Sequence, residues 1–189
     1  MSVSDVGVIH GRFQILHNDH LKYLLAGKAK CNHLVVGITN PDPYLTNKVD
    51  VDPERSQALA NPLTYYQRLV LVREVLQEAG IGLEEMTITP LPITRPELFK
   101  HYVPMEALFF MSIYDAWGRQ KLEQFRSMGL STHVLWEVSP EEKGISASEV
   151  REAMIRDELW EHLVPGASAR LLKDWDVPSR IRQMHEHGV

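Results

Sequence analysis

A single cysteine, Cys31, in 189 residues excludes an intramolecular disulfide and any multi-cysteine zinc site, and leaves this thiol as a small buried packing group. Uncharged apolar runs of the roughly 18 residues that a membrane helix needs are missing, so no such span is expected. The start of the chain lacks the basic residues and apolar length of a secretory leader, with Asp5 where a basic group belongs, and a cytoplasmic protein is the expectation. Positive charge is not in excess either. The 20 Lys and Arg against 25 Asp and Glu give a net charge of −5, which argues against duplex nucleic acid as a partner and leaves room for a local cationic cluster around a small anion. Aromatic residues make up only 8%, and Trp117, Trp136, Trp160 and Trp175 read as packing residues rather than a base-stacking platform.

What is present is the ordinary balance of a globular chain, 44% hydrophobic and 24% charged, in a length that suits one domain over residues 1–189. Short apolar runs alternate with amphipathic stretches, the pattern of βαβ units. Strands are expected over 6–10, 33–38, 86–91, 107–111 and 132–136, with helices between them. The fold class is therefore α/β, a Rossmann-like open parallel sheet flanked by helices. Over 64–79 the residues Leu69, Val72, Leu76 and Ala79 share a helical face, Thr64 and Gln67 fit a capping box, and Gly80 and Gly82 end the helix. After the fifth strand the pattern is helical only, over 146–157, 158–163 and 166–187 with a break at Pro178, which makes 146–189 a C-terminal helical extension. The proline-rich stretch 40–60, which holds Arg55, reads as a lid, a binding loop or a disordered segment.

Two strand-to-helix junctions carry chemistry. The first, GRFQILHNDH at 11–20, stands where open parallel sheets bind ligands, beyond the carboxyl end of a strand. Gly11 permits a tight exit, Arg12 offers a fork for phosphate, and His17 and His20, three apart, can point toward one ligand if the helix begins near Asn18. Capping of that helix by Asn18 or Asp19, with exposed histidines, explains the same residues without a ligand. A metal set of His10, His17 and His20 lacks the carboxylates that should accompany it. The second junction is GISASEVR at 144–151, where Ser146 and Glu149 fit a capping box. Capping leaves Arg151 unexplained, since a cation in the first turn opposes the helix dipole. With Ser148 it makes a second candidate phosphate clamp.

Together the two junctions resemble the nucleotidyltransferase superfamily, with its HxGH and ISxTxxR signatures, and most of all its archaeal-type nicotinamide-nucleotide adenylyltransferases, whose first motif reads GRFQPxHxGH. Gly11, Arg12, Phe13, Gln14, His17 and His20 match the first signature, and Ile145, Ser146, Ser148 and Arg151 the second, with serine for threonine at 148. NPLTYYQRLVLV resembles that family's NPFTxxERxxMI and sets Arg68 on a family arginine, while WEHLVP at 160–165 resembles WxxLVP. Ile15 replaces the motif proline and Asp19 its glycine. The family segment that stacks on nicotinamide corresponds to TRPELFKHY, where Phe99 is the available ring and no asparagine is present.

The resemblance implies adenylyl transfer from ATP, carried in with Mg²⁺, to nicotinamide or nicotinate mononucleotide, with release of pyrophosphate. His17 and His20 would contact the α and β phosphates, Arg12 and Arg151 the β and γ phosphates, Arg68 a phosphate of donor or acceptor, and Phe99 the pyridine. No protein-held metal is implied. Asp19 and the missing asparagine keep two alternatives open: another phosphorylated acceptor such as phosphopantetheine or a sugar or alcohol phosphate, with CTP as a possible donor, and a nucleotide-binding sensor without turnover. The oligomeric state, a homo-oligomer included, stays open.

Overall fold

The computed structural model describes residues 3–42, 58–139, 142 and 144–188. Five strands, β1 (Ser4–Gly11), β2 (Cys31–Thr39), β3 (Met86–Leu91), β4 (Leu108–Ile113) and β5 (Ser131–Glu137), form one sheet in the order β3-β2-β1-β4-β5. Every pairing is parallel. The expected α/β sheet is thus present, with β1 in its middle and the reversal of strand order between β1 and β4.

Side chains alternate faces along each strand, and the core divides accordingly. Ile9, Leu34, Val36 and Phe110 belong to one cluster, and their neighbours Val8, Val35, Phe109 and Met111 to the other. Among the described residues, six α-helices pack on the sheet and on one another: α1 (Asn18–Lys28), α2 (Tyr65–Glu78), α3 (Ala116–Ser127), α4 (Ala147–Ile155), α5 (Gly166–Asp174) and α6 (Val177–Glu186). The first cluster takes in residues of α1, α2, α4, α5 and α6, so the C-terminal helices share the core on that face. The second is closed by Leu122 and Phe125 of α3 and by Phe99 and Val103. Gly7 leaves room for side chains of the two flanking strands: a Cβ there would overlap the Phe110 ring of β4 and stand 2.8 Å from Cys31 Sγ of β2. Cys31 is accordingly buried, and desolvation raises its thiol pKa, as suits a packing group.

Local signals in the sequence match the elements they predict. Thr64 caps α2 in the expected reciprocal box with Gln67, at 3.1 Å in both directions. Most bounds shift by one to three residues, and the helix expected over 158–163 is reduced to a 3₁₀ turn at Glu161–Leu163. The expected break at Pro178 lies earlier, at Trp175 and Asp176, because proline fits the first turn of a helix, where its missing N–H has no partner to lose. The TRPELFKHY segment forms a short 3₁₀ helix at Pro96–His101. Most of the 40–60 stretch, Arg55 included, lies outside the described residues.

Candidate active site

A cleft of about 710 Å³ opens beyond the carboxyl ends of β1 and β4, at the reversal of strand order. Both junctions read from the sequence meet in it. Gly11, Arg12, Phe13, Gln14, His17 and His20 line it from the β1–α1 turn, and Ile145, Ser146, Ser148 and Arg151 from the start of α4.

The histidines are held by each other. His17, and neither Asn18 nor Asp19, is the N-cap of α1: the His20 backbone N–H donates to His17 Nδ1 at 3.4 Å, and the His17 N–H to His20 Nδ1 at 3.5 Å. Their rings stack with centroids 3.7 Å apart. Because Nδ1 accepts in both, the neutral rings carry their proton on Nε2, which makes Nε2–H the donor each ring can offer a ligand. Capping, read from the sequence as a role of Asn18 or Asp19, falls instead to the histidine pair, which also lines the cleft. Asn18 instead donates to the His162 carbonyl at 2.9 Å and ties the turn to the C-terminal part.

Other motif residues build the walls. The Gln14 amide pairs with the Leu63 backbone, donating to its carbonyl at 2.8 Å and accepting its N–H at 2.9 Å. Phe13, at φ 54° in the left-handed region, sets its ring against Gly11 and edge-on to His20 at 5.2 Å. Arg151 is buried, and desolvation lowers its pKa; it donates to the Gln14 carbonyl and, at 3.0 Å, to Ser148 Oγ, joining the second motif to the first. Ser146 caps α4 with Glu149, accepting its N–H at 3.2 Å. The first N–H groups of α4, Ser148 and Arg151 are thus the part of the second motif set at the cleft.

Two expectations are corrected. Arg68 is absent from the cleft lining: it is 2% exposed and donates to the backbone carbonyls of Arg12, Thr39 and Asn40 at 3.0, 2.7 and 2.8 Å. Burial, countered by Tyr65 and reinforced by the charge of Arg12, lowers its pKa to about 10, so it stays charged as a brace between the ends of β1 and β2. Phe99 is fully buried against Phe125, ring centroids 5.7 Å apart, and does not reach the cleft, because its 3₁₀ helix packs inward to close the second core cluster.

The turn from β4 into α3 and the first turns of α3 add residues that lie outside both motifs. Tyr114, Asp115, Trp117 and Lys121 line the cleft, with Lys121 Nζ 5.8 Å from the Trp117 ring centroid. Trp117, expected as a packing residue, therefore belongs to the site. The available signal was topological: the strand beside β1 at a point of reversal sends its exit turn into the same crevice. His10, near the end of β1, lines the cleft, with Nδ1 buried and without a hydrogen-bond partner among the described residues. Desolvation, then the charge of Lys121, holds its pKa well below 6.5.

That shift has a sign. Below pH 6.5 an unfolded His10 takes up a proton that the folded one refuses, so stability is full above that value and falls as pH drops. The expected slope is at most about 1.4 kcal/mol per pH unit. Urea midpoints at about pH 7.5 and about pH 5.5 should diverge more for the wild type than for His10→Gln; equal divergence would show that His10 is not held neutral.

The family model of cytidylyltransferase-like proteins matches residues 8–153, a span that contains both motifs. The chain belongs to the cytidylyltransferase-like family. A phosphonoformate cytidylyltransferase of Streptomyces viridochromogenes is 46% identical over 180 residues, 95% of this chain and 97% of that one. A nicotinamide-nucleotide adenylyltransferase of Thermococcus onnurineus is 28% identical over 180 residues, 94% of this chain and 87% of that one. A bifunctional NMN adenylyltransferase/ADP ribose pyrophosphatase of Francisella tularensis shares the fold, with a TM-score of 0.67 at 18% identity. That match covers 98% of this chain and 54% of the other, so the chain spans about half of it. The resemblance to the nucleotidyltransferase superfamily holds, and so does nucleotidyl transfer as the class of activity. Among the described residues, no helix is long and apolar enough to cross a membrane.

Proposed function

We propose that this cytidylyltransferase-like protein transfers CMP from Mg-CTP to a small acidic phosphonate or phosphate, in preference to the adenylyl transfer to a pyridine mononucleotide that its motifs first suggest. The reading is carried by the burial of Phe99, which removes from the cleft the ring that would stack on a pyridine. The 46% identity to a phosphonoformate cytidylyltransferase over nearly the whole chain supports it. So does Lys121 with His10 beside the β4 exit, a cation and an imidazole suited to a compact anion.

In this reaction an ionised oxygen of the acceptor attacks the α-phosphorus of CTP. A new P–O bond forms while the bond to the bridging oxygen breaks, and pyrophosphate leaves with that electron pair. The nucleophile is already charged, so no general base is required, and rate comes from alignment and charge stabilisation. His17 and His20 donate to phosphoryl oxygens, Arg12 adds charge, and the N-termini of α1 and α4 with Ser148 and Arg151 hold the triphosphate between them. Mg²⁺ enters with the nucleotide, whose phosphate oxygens and waters are the hard ligands it prefers. Among the described residues, no three His, Cys, Asp or Glu side chains cluster to hold an ion.

The test is pyrophosphate release from Mg-CTP and from Mg-ATP, each with phosphonoformate, nicotinamide mononucleotide, phosphopantetheine and no acceptor. Release with CTP and phosphonoformate is the expected result. Release with ATP and the mononucleotide alone would restore the adenylyl reading, and triphosphate binding without any release would mark a sensor. Lys121→Ala should raise KM for the acceptor roughly 10- to 100-fold, the worth of one charged hydrogen bond, and leave KM for CTP little changed.

A further inference from the structure

Asp19 stands where the superfamily signature has glycine, in the first turn of α1 between the two histidines, and it lines the cleft. Its carboxylate reaches across to the start of the second motif. A Cβ on Gly144 would overlap Asp19 Oδ2 and stand 2.9 Å from Cγ. What the missing side chain of Gly144 provides is room for that carboxylate. The extra carboxylate in one motif and the empty space in the other are a matched pair.

An ionised carboxylate only accepts hydrogen bonds. Among the described residues, none donates a hydrogen bond to Asp19, and facing a triphosphate's oxygens directly it would oppose their binding. The groups on the donor nucleotide that it can pair with are the N–H of an exocyclic amine and the O–H of the ribose. We propose that Asp19, seated in the space left by Gly144, is a specificity-determining acceptor for an N–H or O–H donor on the nucleoside half of the triphosphate. This rests on nucleotidyl transfer with CTP as donor.

Equilibrium titration calorimetry of Mg-CTP, Mg-UTP and Mg-2′-deoxy-CTP separates the possibilities, because UTP lacks the amine and the deoxynucleotide one hydroxyl. Wild-type protein should bind CTP at least about tenfold more tightly than one of the two, and which one identifies the group that is read. Asp19→Ala should bring that ratio to within about threefold. Gly144→Ala should do the same with the carboxylate still present, because its methyl displaces the short, movable side chain. Asp19→Ala alone decides the matter should Gly144→Ala fold poorly. An unchanged ratio in Asp19→Ala, or a wild type indifferent to both changes, would overturn the proposal and leave nucleotidyl transfer standing. A wild type that binds ATP but none of the three pyrimidine nucleotides would overturn the CTP reading and this inference with it.

Discussion

Replacing His20 by alanine should lower nucleotidyl-transfer turnover by roughly 10²- to 10³-fold, with the protein still folded and CTP still bound. The reasoning starts from tautomers. Each histidine Nδ1 accepts a backbone N–H of the partner histidine, which sets the proton of the neutral ring on Nε2, and in the proposed reaction that N–H would meet charge developing on the transferring phosphoryl group. Alanine removes that donor and one long cap bond, a structural loss of about 1 kcal/mol. Such a loss is small for a helix whose Tyr23 and Leu24 are set in the main core cluster. His17→Ala should cost more stability, because His17 is the N-cap itself. Single-turnover rates beside thermal melts make the comparison. Near-normal turnover in His20→Ala would remove that ring from the chemistry.

Arg68→Ala should behave in the opposite way, losing the fold before it reveals any effect on substrate. Its guanidinium holds three carbonyls, on Arg12, Thr39 and Asn40, that no other side-chain donor reaches among the hydrogen bonds of the described residues. Truncation strands them in a buried place. Loss of one side of a buried charged network costs about 3 kcal/mol or more, equivalent to roughly 6–12 °C in Tm for a chain of this size. Arg68→Lys should recover only part of that, since an ammonium cannot reproduce the planar fork. A phosphate-binding arginine would show the reverse pattern, with unchanged Tm and weakened CTP affinity. Thermal melts of both variants, with CTP titrations on whatever remains folded, tell the two roles apart.

The contrast between these residues shows where sequence reading succeeds. His20 and Arg68 both match motif positions, and their types suit phosphate equally well. One lines the cleft and the other braces the backbone beneath it, and nothing within a few residues of Arg68 records the difference. Its partners lie 56, 29 and 28 positions away. Phe99 makes the same point: an aromatic ring in the expected segment faces the core rather than the ligand, because that segment coils into a 3₁₀ helix under the sheet.

By itself the sequence determined the elements and the class of chemistry. Short apolar runs marked the five strands, capping boxes at Thr64 and Ser146 marked helix starts, and two signatures marked nucleotidyl transfer. These are signals between residues at most a few positions apart, where backbone geometry alone dictates which side chains meet. Tertiary structure decided which motif residues line the cleft. It set His17 and His20 as a mutually capped pair, turned Arg68 and Gln14 into braces, brought Lys121 and Trp117 into the cleft, and laid Asp19 against Gly144. Each of these depends on where distant strands and turns are brought together, and that is settled by the packing of two faces of one sheet rather than by any local run of residues.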